Sequence, residues 1–264
     1  MQVECRIPSP SLRPFVLAPI EGWEEVDAAP TQLREVPFPG VPLILGLETA
    51  WEIDGPTGST RESSFVAGLH AAPTLVRPTA PSWSCIELRL TPIAAHRILG
   101  LPMHELANRS VALADIAPEA DELVGRLRDV SWPERFDLVE EFLLRRLDAA
   151  REPTREVEWS WQQLSRTDGR AAIAEIASEL GWSHRRLIAR FREQIGLAPK
   201  AAGRVMRFDR AVHALKSAAA GLSEVAYECG YYDQAHMNRD FRELAGPTPA
   251  ALLARRCASG GVAA

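Results

Sequence analysis

Long apolar runs and clustered cysteines are both missing from this chain of 264 residues. No stretch approaches the roughly 18 consecutive apolar residues that indicate a membrane-spanning helix, and the first residues contain no signal-peptide core. The four cysteines, at positions 5, 85, 229 and 257, lie far apart and form no CxxC pair. This usage fits reduced thiols rather than a disulfide framework. We therefore expect a cytoplasmic protein with no membrane partner.

Motifs of common enzymes are missing as well. The chain has no GxSxG, P-loop or GxGxxG element. A metal-binding β-barrel needs a clustered HxH pair with a following glutamate, because its ligands must converge on one ion. His70, His96 and His104 stand apart instead, so we interpret them as surface or hydrogen-bonded side chains. We expect no catalytic residues, no metal and no cofactor.

A repeated pattern occupies the last third of the chain. Residues 173–199 and 222–249 align so that Gly181 pairs with Gly230 and Phe191 with Phe241, with one additional residue in the second copy. Each copy predicts a short helix, a glycine turn and a second helix, which is the pattern of a helix-turn-helix. Two such units indicate a sequence-specific DNA-binding protein.

The spacing inside each copy supports this interpretation. Gly181 and Gly230 suit a turn with positive φ, and Ser183 and Asp233 are natural N-caps for the helix that follows. Apolar residues recur at helical spacing around each turn. In the first copy they are Ile173, Ile176, Leu180, Leu187, Phe191 and Ile195, and in the second Leu222, Val225, Cys229, Met237, Phe241 and Leu244.

The outer face of each second helix carries the candidate base-reading side chains. Arginine reads guanine, and glutamine or asparagine reads adenine, through paired hydrogen bonds in the major groove. In the first copy the face holds Arg185, Arg186, Ile188, Ala189 and Arg192, and in the second Gln234, Ala235, His236, Asn238, Arg239 and Arg242. The alternative is that these are solvated helix faces, and His236 in particular is open to an inert role.

The stretch 170–257 resembles the paired helix-turn-helix domain of the AraC/XylS transcription regulators. The matching segments are IAEIASELGWSHRRLIARFREQIGLAP, RFDRAVHALKS and GLSEVAYECGYYDQAHMNRDFRELAGPTPAAL. The resemblance implies that a long helix, about 199–217, joins the two units. Such a helix spans roughly 27 Å, which suits two successive major-groove segments of DNA about 34 Å apart.

The family's base-reading positions fall on two sets of residues here. They are Arg185, Ile188 and Ala189 in the first unit, and Gln234, Ala235, His236 and Arg239 in the second. The first set departs from the family pattern, because Ile188 and Ala189 form no hydrogen bonds with bases and are limited to touching a thymine methyl group. The first unit therefore either reads through Arg185 or only positions the protein.

The charge of the chain divides between its two parts. From Arg166 onward there are 15 Lys+Arg and 10 Asp+Glu, a net of +5, whereas residues 1–165 hold 15 and 25, a net of −10. A basic C-terminal module supplies the phosphate contacts of non-specific DNA binding.

Short β-like runs fill the first 90 residues. The clearest are 41–47, 63–70, 73–78 and 83–90, and in the last Ile86, Leu88 and Leu90 alternate with Glu87 and Arg89. The pattern becomes helical at Thr91, which opens a first helix, and further helices are predicted at about 103–108, 118–129 and 133–151. We expect an α+β protein: a small β-barrel or cupin-like domain with trailing helices over 1–150, a linker over 151–169, and an all-α domain over 170–257.

The first domain resembles the sensor-like N-terminal half of one AraC-type subgroup, in SPSLRPFV, FVAGLH and RLTPIAAHRILGLPMHELANRSVALADI. This implies a bacterial regulator of promoter DNA, with an unknown small-molecule effector, RNA polymerase and a second copy of the chain as further partners. Two alternatives stay open. In one, the first domain only dimerises, with the stripe of the 133–151 helix facing either its own domain or a partner. In the other, Cys5 accepts methyl groups as in a DNA-repair protein.

Overall fold

A computed structural model describes residues 1–27, 32–150, 152–217, 221–254 and 262–263. Residues 255–257 of the predicted 170–257 domain, Cys257 among them, lie outside this part of the chain. Within it, two antiparallel sheets and a set of helices form the N-terminal half, and the C-terminal half is helical apart from a two-residue strand at 262–263.

Ten strands in the N-terminal half build the two sheets. They are β1 Gln2–Arg6, β2 Ile20–Glu25, β3 Leu33–Glu35, β4 Val41–Gly46, β5 Trp51–Gly55, β6 Gly58–Glu62, β7 Phe65–Ala67, β8 Thr74–Pro78, β9 Trp83–Leu90 and β10 Ser110–Ala112. One sheet has the order β1-β2-β9-β4-β7-β10. In the other, β3-β8-β5-β6 is extended at the β3 edge by β11, Val262–Ala263.

Strand β9 shows how the first sheet divides its two faces. Ile86, Leu88 and Leu90 are fully buried in a core shared with the helices, as the predicted alternation requires. The intervening Glu87 and Arg89 do not face solvent alone, because they line a cavity on the other face of the sheet. The half-buried strand is therefore confirmed, and its polar face has a second role.

Eleven α-helices and one 3-10 turn complete the described fold. They are α1 Pro92–Leu99, the 3-10 turn Met103–Glu105, α2 Leu113–Ile116, α3 Glu119–Arg128, α4 Trp132–Ala149, α5 Arg155–Arg166, α6 Ile173–Glu179, α7 His184–Ile195, α8 Pro199–Ser217, α9 Leu222–Glu228, α10 Gln234–Ala245 and α11 Pro249–Ala254. Helix α1 begins at Thr91, whose Oγ1 accepts a hydrogen bond from the Ala94 N–H at 3.1 Å.

The predicted helix at 103–108 is wrong beyond its first turn. Only Met103–Glu105 is helical, as a 3-10 turn, and the chain then reverses through Asn108, which has a φ of 59°. A left-handed residue ends helical hydrogen bonding. The apolar stripe of α4 packs inside its own domain, where Phe136, Val139 and Leu143 are buried against the first sheet and α1.

The predicted linker contains α5, which belongs to the packing of the first repeated unit. Val157 and Leu164 of α5 are fully buried with Leu187 and Phe191 of α7. The rings of Trp161 and Phe191 lie 6.3 Å apart. Among the described residues, no helix is both long and apolar enough to cross a membrane.

Candidate functional site

The two repeated units form matching helix-turn-helix geometries. We define unit 1 as α6 and α7, and unit 2 as α9 and α10. The turn glycines Gly181 and Gly230 have φ values of 62° and 77°, as their left-handed role requires. At the start of α7 the Arg186 N–H donates to Ser183 Oγ at 3.3 Å, and at the start of α10 the His236 N–H donates to Asp233 Oδ1 at 2.6 Å. Both second helices are thus capped as the sequence predicts.

Long helix α8 joins the units over the predicted range and packs against both. Val205 is buried in the core of unit 1, and Phe208, Val212 and Leu215 in that of unit 2. Polar contacts add to this packing, since Arg204 Nε donates to Asp240 Oδ1 at 2.8 Å and Arg204 also pairs with Glu243. Both carboxylates belong to α10, so α8 fixes the orientation of that helix.

The outer face of α7 presents most of its predicted residues to solvent. Arg185, Ala189 and Arg192 are exposed, and Ile188 is 37% exposed. Arg186 is also exposed, and its guanidinium lies over the Trp182 ring, 4.4 Å from the ring centroid. A cation–π contact of this kind holds the side chain beside the turn, which suits a backbone contact better than a base contact.

The outer face of α10 is more constrained. Ala235, Arg239 and Arg242 are exposed. Gln234 is half-buried, and its Oε1 accepts a hydrogen bond from Ser223 Oγ of α9 at 2.8 Å. This contact fixes the amide of Gln234 at the N-terminus of α10, where a base edge would meet it.

His236 occupies the position equivalent to Arg186 and likewise packs on the aromatic residue after the turn glycine. Its ring meets the Tyr231 ring edge-on at 5.2 Å. The Tyr232 N–H lies 3.3 Å from His236 Nδ1, which accepts its hydrogen bond. With Nδ1 as the acceptor, Nε2 is the ring nitrogen that remains to donate to a ligand.

Asn238 does not present both of its amide atoms. Its Oδ1 has essentially no accessible surface and no hydrogen-bond partner among the described residues. Bidentate recognition of adenine needs both atoms, so this rotamer does not provide it.

The sequence pattern did not single out three residues beside the outer face of α10. Ser223 positions Gln234, and Tyr227 and Tyr232 are 83% and 93% exposed. Tyr232 is the additional residue of the second copy and directly precedes the N-cap of α10. In the sequence, the signal that pointed to Tyr232 was its place as the one additional residue of the second copy.

Unit 1 shares a hydrophobic core with the N-terminal half. Leu69 and Ile93 are buried together with Leu187 and Ile195 of α7. Buried Gln194 of α7 adds polar contacts to the start of α5: the Thr154 N–H donates to Gln194 Oε1 at 3.0 Å, and Gln194 Nε2 donates to Thr154 Oγ1 at 2.6 Å. Unit 1 is thereby held firmly to the first domain.

A cavity of about 220 Å³ lies between the two sheets and α8. Its inner wall is apolar and aromatic, and its outer wall includes the segment 33–40 and Val212 of α8. Within the same segment, Val36 packs against the core of unit 2. One stretch of backbone therefore contacts both the cavity and unit 2.

The three histidines named in the sequence analysis are separate in the structure. His70 is buried, with Nδ1 3.0 Å from Thr74 Oγ1, and burial lowers its pKa. His96 Nδ1 lies 3.0 Å from the Leu101 carbonyl oxygen, and His104 is exposed. No group of three or more potential metal ligands occurs in the described ranges.

Cys5 is exposed on β1, and its pKa is raised by desolvation and by the nearby carboxylates of Glu21 and Glu4. A raised pKa lowers the fraction of reactive thiolate. This environment opposes the methyl-acceptor alternative.

Comparison with known proteins gives one family and several structures. Residues 176–255 match the family model described as a helix-turn-helix domain, and no curated protein matches the chain. ToxT from Vibrio cholerae, in its unsaturated fatty acid-bound form, has a TM-score of 0.51 at 11% identity, over 92% of this chain and 95% of that chain. At this identity the likeness shows a shared fold.

Two further structures are less similar in fold. The C-terminal domain of AraT, a response regulator from Geobacillus stearothermophilus, has a TM-score of 0.35 at 19% identity, over 37% of this chain and 82% of that chain. The AraC-like transcriptional activator CuxR has a TM-score of 0.30 at 17% identity, over 76% and 84%.

Proposed function

We propose that this chain is an AraC-type DNA-binding transcription regulator, that both its units engage operator DNA, and that a small molecule in the cavity adjusts their binding. The match of residues 176–255 to a helix-turn-helix family model supports the DNA-binding part of this proposal. The observation that carries the first part is the repeated geometry: two capped helices, each following a left-handed glycine and each with exposed arginine on its outer face.

The side chains divide into readers and positioning groups. Arg185, Gln234 and Arg239 are the base readers, because each offers hydrogen-bonding atoms on the outer face of its helix. Arg186 and His236 are held beside the turns by Trp182 and Tyr231 and contact the DNA backbone. Further backbone contacts come from Arg192, Asn238, Arg242 and Tyr232. Ile188, Ala189 and Ala235 make apolar contacts, as with a thymine methyl group.

The effector part of the proposal rests on the position of the cavity. A ligand there touches both sheets, α8 and the segment 33–40, whose Val36 packs on unit 2. Unit 1 is fixed to the first domain by a shared core. Ligand binding therefore changes the position of unit 2 relative to unit 1, and a regulator with two reading units responds strongly to such a change. The fatty acid bound by ToxT is a precedent for a ligand in this fold.

The first experiment selects bound DNA from a random library and titrates salt on the selected sequence. Two half-sites about one helical turn apart are expected if both units read bases. A steep fall in affinity with salt is expected from the arginine contacts. A single half-site would show that unit 1 only positions the protein, and absence of any enriched sequence from the selection would contradict sequence-specific binding.

The effector is tested separately from DNA binding. Small molecules are screened for a rise in the thermal midpoint of the full chain, and each that raises it is then added to the operator titration. A molecule that binds and shifts operator affinity supports regulation through the cavity. Ligands that leave operator affinity unchanged would favour the alternative, in which the first domain only dimerises.

A further inference from the structure

Aromatic side chains from four strands meet at the inner wall of the cavity. Trp23, Trp51 and Phe65 are buried there, and Trp83 packs against them. The rings of Trp51 and Trp83 lie 4.9 Å apart at an interplanar angle of 69°, so they form two sides of a corner. The Nε1 atoms of Trp23 and Trp51 have essentially no accessible surface. These indoles therefore offer ring carbon to a ligand, and no hydrogen-bond donor.

The strand wall beside this corner carries more negative than positive charge. Arg89 donates to Glu87 at 2.8 Å and lies 3.9 Å from Glu21. Burial alone would lower the pKa of Arg89, but Glu87, Glu21 and Glu35 together raise it. Of these four residues, Glu35, Glu87 and Arg89 line the cavity, which leaves a formal charge of −1 at this wall.

The other walls of the cavity do not reverse the sign of this net charge. On α8, Asp209 and Lys216 contribute one formal charge of each kind, and His213, 3.4 Å from Asp209, also lines the cavity. His70, on the same cavity, has its pKa lowered by burial, and it is neutral at neutral pH. A bound carboxylate would therefore sit among carboxylates in a partly buried space, which is unfavourable.

From this combination we propose that the cavity binds a compact organic cation, an alkylammonium or arylalkylammonium ion, as the effector. The proposal rests on the function proposed above for the cavity. Aromatic walls attract a cation through their ring quadrupoles, and desolvation strengthens the attraction. The carboxylate-rich wall adds a favourable charge interaction. The volume of about 220 Å³ is below the roughly 300–1,000 Å³ of pockets for drug-sized ligands, so the ion is small.

Matched pairs of ligands test the charge directly. Choline and its neutral carbon isostere 3,3-dimethylbutan-1-ol have the same shape, as do benzyltrimethylammonium and neopentylbenzene. Each is titrated calorimetrically into the full chain at constant ionic strength. We expect at least one cation to bind about tenfold or more tightly than its isostere, and oleate to bind more weakly than that cation.

Substitutions locate the binding in the cavity. Trp51→Leu and Glu87→Gln should each weaken the cation about fivefold or more while leaving the neutral isostere unchanged, and Trp51→Phe should retain most of the affinity. Trp159→Leu, on α5 and away from the cavity, is the matched control. If Trp51→Leu does not fold, Glu87→Gln carries the test, because it preserves the shape of the side chain.

Two outcomes overturn the proposal: neither cation binds more tightly than its isostere, or the cation binds equally well to Glu87→Gln and Trp51→Leu. Operator binding is measured on the same protein samples, so that failure of the cation proposal can be distinguished from failure of the proposed regulatory function. Operator binding that persists while cations fail removes only the ligand class. Cations that bind without changing operator affinity remove only the effector role.

Discussion

The backbone of Gly169 crosses α8 directly over Gly203. A Cβ atom on Gly169 would lie 1.9 Å from the Gly203 carbonyl oxygen, and Gly169 has a φ of 75°. The same loop contacts unit 2, because a Cβ on Gly230 would lie 2.5 Å from Cδ of Arg170. The loop that enters unit 1 is therefore packed against both α8 and the turn of unit 2, and it sets how the two units are arranged.

Gly169→Ala is expected to lower the free energy of unfolding by at least about 2 kcal/mol, because a left-handed φ and a backbone clash both oppose the new methyl group. Urea denaturation of the full chain measures the change. Gly125→Ala is the matched control: Gly125 lies within α3 with no atom near its Cβ position. There alanine should be neutral or stabilise by up to about 1 kcal/mol. Equal stability of Gly169→Ala and wild type would contradict the close crossing.

Substitution of Gly181 tests the backbone conformation alone, because the added side chain meets no neighbouring atom at its Cβ position. Its φ is 62°, and no atom lies within 4 Å of the position that a Cβ would take. Gly181→Val should lower the unfolding free energy by about 1–2 kcal/mol through backbone strain alone. Gly181→Asn should cost much less, because asparagine tolerates the left-handed region. A valine variant as stable as the asparagine variant in thermal melts would argue against a left-handed turn.

The C-terminal half was predictable because its signals are local. A left-handed glycine, a capping serine or aspartate and apolar residues at helical spacing all lie within one unit, so residues 173–249 contain the information that shapes them. Helix α8 follows for the same reason, and its predicted range agrees with Pro199–Ser217.

The N-terminal half was less predictable, because its structure depends on distant residues. Strands β5 and β6 form a hairpin whose second strand, GSTRE, is mostly polar, so no apolar alternation marks it. In β9 the sequence shows alternation, but a polar face directed at a cavity has the same pattern as one directed at water. The cavity follows only from the pairing of β9 with β2 and β4.

Arg239→Ala is expected to cost about 1–3 kcal/mol in binding to the selected operator and to relax the preference at one base position. Arg239 is exposed on α10, and its guanidinium is free to meet a guanine edge. Competition with a set of single-base operator variants measures both effects. Arg145→Ala, which removes an exposed pair with Glu141 on α4, is the control. Uniform weakening on every sequence would identify Arg239 as a phosphate contact.

Stability should fall as the pH decreases below about 6.5, through His70. Burial lowers its pKa in the folded state below the ordinary value of 6.5, so the unfolded chain takes up a proton first as the pH falls. The contribution of neutral His70 is complete above pH 6.5 and decreases towards its folded pKa. His70→Gln should flatten the slope of unfolding free energy between about pH 5 and 7, whereas His104→Gln, at an exposed position, should not. Parallel slopes for wild type and His70→Gln would disprove this assignment.

Ser223 allows positioning of a reader to be separated from reading itself. Its hydroxyl donates to Gln234 Oε1 at 2.8 Å, and Ser223 is exposed on α9. Ser223→Ala frees the Gln234 amide to rotate. We expect discrimination at the base read by Gln234 to fall about threefold to tenfold. Loss of a complete bidentate contact would reduce the discrimination more, by roughly 1–3 kcal/mol. Affinity for unrelated DNA and the thermal midpoint should be unchanged.

Gln234→Ala should abolish discrimination at the same position, and adding Ser223→Ala to it should have no further effect. An effect of Ser223→Ala that persists in the Gln234→Ala background would show that the serine contacts DNA independently.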